Sequence, residues 1–212
     1  ALKVVKSGDT VHYGEFAMNS AYLDAALAKR VNELTGVNIM TITTPFVAQT
    51  VVADPERRHF IYNDFHLSAA NRKLHDKNLC NYIPVNYHEA PTFYERGYIK
   101  PDVALIKVAP IDKRGYFNHG TSVSFTPYIC DAAKIVIAEV NNSVPKCLGG
   151  NRESIHISDI DYIVEGDNQP MPQIPATKVT AIDKKIAAIV VGEVEDGACL
   201  QLGIGAMPNV VG

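Results

Sequence analysis

No apolar run in these 212 residues approaches the roughly 20 that a bilayer-spanning helix requires. The opening ALKVVKSGDT lacks both the apolar stretch and the small-residue cleavage site of a secretory signal. A soluble, cytoplasmic protein with no membrane partner is expected. Cys80, Cys130, Cys147 and Cys199 form no CxxC pair, which argues against zinc or disulfide frameworks and fits reduced thiols. Lys and Arg total 20 against 23 Asp and Glu, with no basic cluster, so nucleic acid is not an expected partner. His59 and His66 belong to no HExxH or comparable ligand spacing, and no metal is expected.

What is present is an alternation of helix and strand. Ser20 is placed to cap a helix with Leu23, Leu27, Val31 and Leu34 on one face and Gly36 as its left-handed C-cap. VNIMTIT (37–43) and HFIYNDF (59–65) read as strands, and Ser68 to Lys77 as a short helix. DVALIKVA (102–109) and AKIVIAEV (133–140) are apolar almost without interruption, as strands covered on both faces are. ISDIDYIVEG (157–166) alternates more and suits an edge. The expected fold class is α/β, an open, mostly parallel sheet with helices on both faces.

DNQPMPQIPATK (167–178) carries three prolines, which can neither donate to a ladder nor continue a helix, so it reads as a connection. The expected domains are 1–175 and 176–212, the second being the start of another, similar α/β domain. Thr180 and Asp183 have capping-box spacing, and Ile182, Ile186, Ile189 and Val190 form a stripe that ends at Gly192. VKSGDTVHYGEFAM (5–18) and VEDGACLQLGIGAM (194–207) correspond at six of fourteen positions, including Gly8 with Gly197 and Gly14 with Gly203. Each copy reads as a turn glycine, a short strand, a second glycine at the strand's end and then a helix. A single helix, strand and loop beyond residue 175 are too few to bury a core, so the chain reads as truncated.

In LQLGIGAMPNVVG (200–212), Gly203 and Gly205 leave backbone N–H groups open to close approach, and Pro208 suits a first helical turn. Donors and a helix dipole converge on one spot that favours negative charge. Pro208 stands where the dinucleotide fingerprint GxGxxG has its third glycine, so that fingerprint is not met; a phosphate cradle, an oxyanion hole and a plain structural turn all fit the two glycines.

LQLGIGAMPNVV closely resembles the GxGxxPxxV loop of class I CoA-transferases, in the acetyl-CoA hydrolase/transferase branch. PDVALIKVAPIDKRGYFNHG (101–120), AAKIVIAEVNNSVPKCLGG (132–150) and IHISDIDYIVE (155–165) agree with the same branch, so the resemblance covers nearly the whole chain. It implies CoA exchange between an acyl-CoA and a short-chain carboxylate such as acetate, butyrate or 4-hydroxybutyrate, through a glutamyl-CoA thioester. Coenzyme A enters as substrate, and no cofactor is implied. By position, Gly203, Ile204, Gly205, Ala206 and Met207 form the CoA-binding and oxyanion segment, where one N–H donor can contribute roughly 3 kcal/mol. The nucleophilic glutamate is expected beyond Gly212, so no catalytic residue is expected within this chain, and a C-terminal domain and a homo-oligomer complete the implied partners. A hydrolase of the same family and a non-catalytic domain binding CoA or a sugar phosphate are the rival readings.

Glu15, at a strand end, is a candidate contact for the acyl or carboxylate substrate. Glu89 in HEAP (88–91) reads instead as an acid at a helix N-terminus. Asn118, His119 and Gly120, with Thr121 and Ser122, form a polar loop of the kind that a parallel sheet presents to ligand. DKRG (112–115) reads as a solvated turn, and His156, Asp159 and Asp161 as ordinary surface polarity.

Overall fold

The computed structural model describes residues 1–173, 178–203 and 205–212. It divides into a unit Ala1–Pro172 and a unit Gln173–Gly212. The boundary expected between 175 and 176, and Ile204 of the glycine loop, lie outside the described residues.

In the first unit the chain lays down β1 (Thr10–Glu15), β2 (Val37–Ile42), β3 (Phe60–Asp64), β4 (Asn81–Tyr82) and β5 (Val103–Val108). It continues through β6 (Tyr116–Asn118), β7 (Ile135–Val140), β8 (Ser154–His156) and β9 (Tyr162–Glu165). Seven of these form one sheet in the order β4-β3-β2-β1-β5-β7-β9, while β6 and β8 pair separately. Every ladder of the large sheet is parallel, and β6 runs antiparallel to β8.

Alternate residues of β5 enter different cores, which is why its sequence shows no polar face. Val103 and Leu105 pack with Leu23 and Leu27 of α1 (Ala21–Ala28), Val51 of α2 (Gln49–Ala53) and Leu74 of α3 (Ala69–His75). Ala104, Ile106 and Val108 pack on the opposite face with Tyr94 of α4 (Ala90–Glu95) and Ile129 of α5 (Thr126–Ala132). Helices therefore cover both faces.

Three local expectations are corrected. The helix opened at Ser20 ends at Ala28, and Leu34 reaches the core from a loop rather than from a helical face. Arg30 turns back there to the carbonyls of Leu2 and Val5, and Gly36, at φ +66°, leads straight into β2. Gly14 lies inside β1 rather than at its end; a Cβ there would sit 2.5 Å from the Met18 carbonyl oxygen. Gly14→Ala is expected to cost about 2 kcal/mol, read as a lower denaturant midpoint, because that oxygen belongs to the main chain and cannot swing aside.

The third correction concerns the second unit. The Thr180–Asp183 capping box forms at the start of α6 (Ala181–Gly192), and α7 (Ala206–Val211) follows Gly205. Gly8 and Gly197 share φ +83°, as the repeat requires. The strand expected after Gly197 is absent among the described residues. In the first copy β1 is held by β2 on one side and β5 on the other, and among the described residues of this unit there is no strand for such a ladder.

Candidate functional site

The connection from β1 leads to β2 on one side, while β5 takes up position on the other, so the carboxyl end of β1 stands where the strand order reverses. Open α/β sheets bind ligands in the crevice at this point. A bulge decides which side chain arrives there. His12 pairs with Met40 and Glu15 with Ile42, so three steps along β1 match two along β2. The extra residue turns Glu15 to the same face as His12, toward α4 and α5, whereas strict alternation would have sent it to the opposite one.

Glu15 is fully buried, and neither carboxyl oxygen has a hydrogen-bond partner. Burial pushes its carboxyl from the ordinary 4.5 up to about 8; the nearby Ser124 hydroxyl and Phe125 amide act the other way without reaching bonding geometry. None of the ion pairs among the described residues includes it. It is held as a neutral acid near pH 7.

Backbone strain surrounds this carboxyl. Phe16, which follows it, has φ +48°, Thr43 at the end of β2 has φ +47°, and Ser124 has φ +46°. Non-glycine residues in the left-handed region cost of order 1 kcal/mol or more and persist only where neighbours over-determine them. Asp64 supplies that constraint for Thr43, accepting its N–H at 3.1 Å and being tied to Asn71 at 2.6 Å.

The wall around Glu15 is aromatic. Tyr87 lies 6.3 Å from Phe16 and 5.7 Å from Phe125 between ring centroids, and its hydroxyl is hydrogen-bonded to that of Ser124. Tyr94 packs 5.7 Å from Phe125 and shares a 2.7 Å hydrogen bond with His12 Nε2. His12 Nδ1 lies 2.7 Å from the Tyr13 carbonyl, which can only accept, so Nε2 takes the tyrosine hydrogen. Burial lowers His12 to about 4, so it stays neutral.

The remaining sequence candidates are divided by the structure. Asn118, at the end of β6, spends its side chain on scaffold bonds, accepting from the amides of Gly120 and Cys147 and donating to the Cys147 carbonyl. Gly120 has φ +61°, and a Cβ there would meet Val144 at 2.5 Å. His119 is buried, its Nδ1 unpartnered, and burial with the nearby Arg152 charge lowers it to about 4. It lines a cavity of about 420 Å3 with Arg152, Asp131, His156 and Asp159. Arg152 is 2.8 Å from Asp131, so no net positive field invites an anion there. Glu89 is the N-cap residue of α4, with its carboxylate held by Asn86.

In the glycine loop, Cβ atoms at Gly203 and Gly205 would make only ordinary contacts with Pro208, at 3.6 and 3.4 Å. Neither glycine is at positive φ, and Gly205 is the N-cap residue of α7. Packing among the described residues does not require glycine at either place.

Sequence reasoning missed His12, Tyr87, Tyr94 and Ser124. Only His12 had a signal, a buried-type strand, TVHYGE, carrying a histidine and a glutamate.

The model of the acetyl-CoA hydrolase/transferase N-terminal domain matches residues 1–175. A butyryl-CoA:acetate CoA-transferase of Anaerostipes caccae is 41% identical over 100% of this chain and 48% of its own length. A 4-hydroxybutyrate coenzyme A transferase of Clostridium kluyveri is 39% identical over 73% of the chain and 35% of its own length. The crystal structure of RipA from Yersinia pestis matches with a TM-score of 0.84 at 28% identity, over 98% of this chain and 50% of RipA. The chain spans half or less of the length of these proteins. With its first 175 residues matched and such relatives alongside, the chain belongs to the acetyl-CoA hydrolase/transferase family.

Proposed function

We propose that this chain is the N-terminal part of an enzyme that moves coenzyme A between an acyl-CoA and a short-chain carboxylate. The observation that carries this reading is family membership over residues 1–175, joined to relatives named as butyrate, acetate and 4-hydroxybutyrate CoA-transferases. In the proposed cycle a glutamate oxygen attacks the thioester carbonyl, the C–S bond of the adduct breaks, and CoA departs as thiolate to leave a mixed anhydride of the acyl group and the glutamate. The thiolate then attacks the glutamyl carbonyl, releases the first carboxylate and leaves a glutamyl-CoA thioester; the acceptor carboxylate runs these steps in reverse.

The nucleophilic glutamate lies outside these 212 residues on this reading. Gly203, Ile204, Gly205, Ala206 and Met207 supply the amides that stabilise the oxyanion and receive CoA. The lack of any packing demand for glycine at 203 and 205 supports that role, since bare backbone is then left for the approach of a ligand. At its natural length the protein is expected to consume butyryl-CoA at least tenfold faster with acetate than without it. Equal rates assign a hydrolase, and no consumption in either case refutes the enzyme. The 212-residue chain alone is expected to exchange no CoA, measured by acyl-CoA loss.

A further inference from the structure

We propose that the Glu15 carboxyl is the recognition element for the acceptor's carboxylate, giving it a hydrogen bond beneath the roof made by Tyr87 and Ser124. The inference rests on the transferase reading and deepens it. A buried carboxyl with both oxygens unpartnered is costly unless something completes it, and this one sits at the reversal of strand order with strained backbone on either side. Rings of Phe16, Phe65, Tyr87, Tyr94 and Phe125 border the site and suit a short aliphatic tail. The roof is one side-chain hydrogen bond between Tyr87 and Ser124, and Tyr87 is half exposed on the short turn Tyr87–Glu89, so side-chain rotation opens the way in.

Two carboxylates repel unless one holds a proton, and in this apolar site the protein's own group holds it. The groups facing Glu15 are Tyr87 from the turn, Tyr94 from α4 and Cys130 from α5, with His12 behind Tyr94 on β1. Burial raises both tyrosines and the thiol, the last to about 12, and lowers His12 to about 4. Glu15 alone among them changes charge between pH 5 and 9. The acceptor carboxylate therefore binds the protonated form, and binding above pH 8 takes up a proton.

The test is calorimetric titration of butyrate into the protein at its natural length at pH 9, in buffers of different ionisation enthalpy, beside the acceptor KM from pH 6 to 9.5. Expected are uptake approaching one proton per butyrate and an acceptor KM that rises up to tenfold per pH unit above about 8. Glu15→Gln keeps an N–H donor and is expected to abolish both the uptake and the alkaline rise. Glu15→Leu lacks the donor and is expected to raise acceptor KM tenfold or more below pH 8, with no alkaline rise, while the acyl-CoA KM stays put. Uptake that persists in Glu15→Gln, or an acceptor KM unmoved in Glu15→Leu, overturns the proposal. If the protein transfers no CoA, the transferase reading falls, and butyrate-linked proton uptake still decides whether Glu15 binds a carboxylate.

Discussion

Without any ligand, Glu15→Gln is expected to raise the melting temperature at pH 9 by roughly 4–8 °C and to remove much of the fall in stability between pH 5 and pH 8. The carboxyl binds its proton more tightly folded, at about 8, than unfolded, near 4.5. At pH below 4.5 both states are neutral and the group adds no penalty. As pH climbs, the unfolded chain ionises freely while the folded one cannot, and the loss is complete above pH 8. The gap is on the order of 5 kcal/mol as a ceiling, which local opening reduces. Glutamine carries no charge to desolvate but leaves a buried amide short of partners at about 1–3 kcal/mol, so about 2 kcal/mol is the expected net gain at pH 9. At pH 4.5 the sign reverses and the parent is the more stable by about 1 kcal/mol. Thermal melts at pH 4.5, 7 and 9 check this; parallel pH profiles for parent and variant show that Glu15 is solvated and defeat the account.

The architecture was legible where burial is two-sided. DVALIKVA and AKIVIAEV announce a parallel sheet because each face of β5 and β7 meets a different core, which leaves neither strand a polar face. The capping box at Thr180 was legible because its partners are three residues apart. The second glycine loop invited a strand by analogy with β1, but a strand exists only with a ladder, and ladder partners are not written locally. The orientation of Glu15 was illegible for a related reason. Period-two alternation places His12 and Glu15 on opposite faces, and only the pairing with β2 reveals the extra residue that unites them. Tyr94 and Ser124 come to the site from sequence positions 79 and 109 residues beyond Glu15, with nothing in their own neighbourhoods to mark them. The polar loop at 118–120 was conspicuous, yet two of its members are consumed by the β6–β8 scaffold.

On the opposite face of the same sheet edge, Lys107→Met is expected to cost about 3–5 kcal/mol at pH 7, while Lys107→Met with Glu139→Leu returns close to the parent. Lys107 and Glu139 are adjacent through the β5–β7 ladder, 3.9 Å apart and nearly inaccessible. Burial lowers the lysine and raises the glutamate, and each partner works against the other's shift. A pair at that separation, with Leu23 N–H as a 3.4 Å donor to the carboxylate, scarcely recovers its desolvation. Removing the lysine strands a carboxylate in the interior, which is the costly state; removing both ends leaves apolar groups that the core around Leu105 and Ile137 accommodates. The pH dependence follows from the glutamate. The single variant regains stability as pH falls and Glu139 takes a proton, whereas the double variant shows no such recovery. A double-mutant cycle in denaturant at pH 7 and pH 5 reads both effects. Equal losses in single and double variants would mean that the pair contributes packing alone. The expected coupling instead marks a pair whose members are costly apart and nearly neutral together, with the Leu23 N–H near the start of α1 held on its carboxylate.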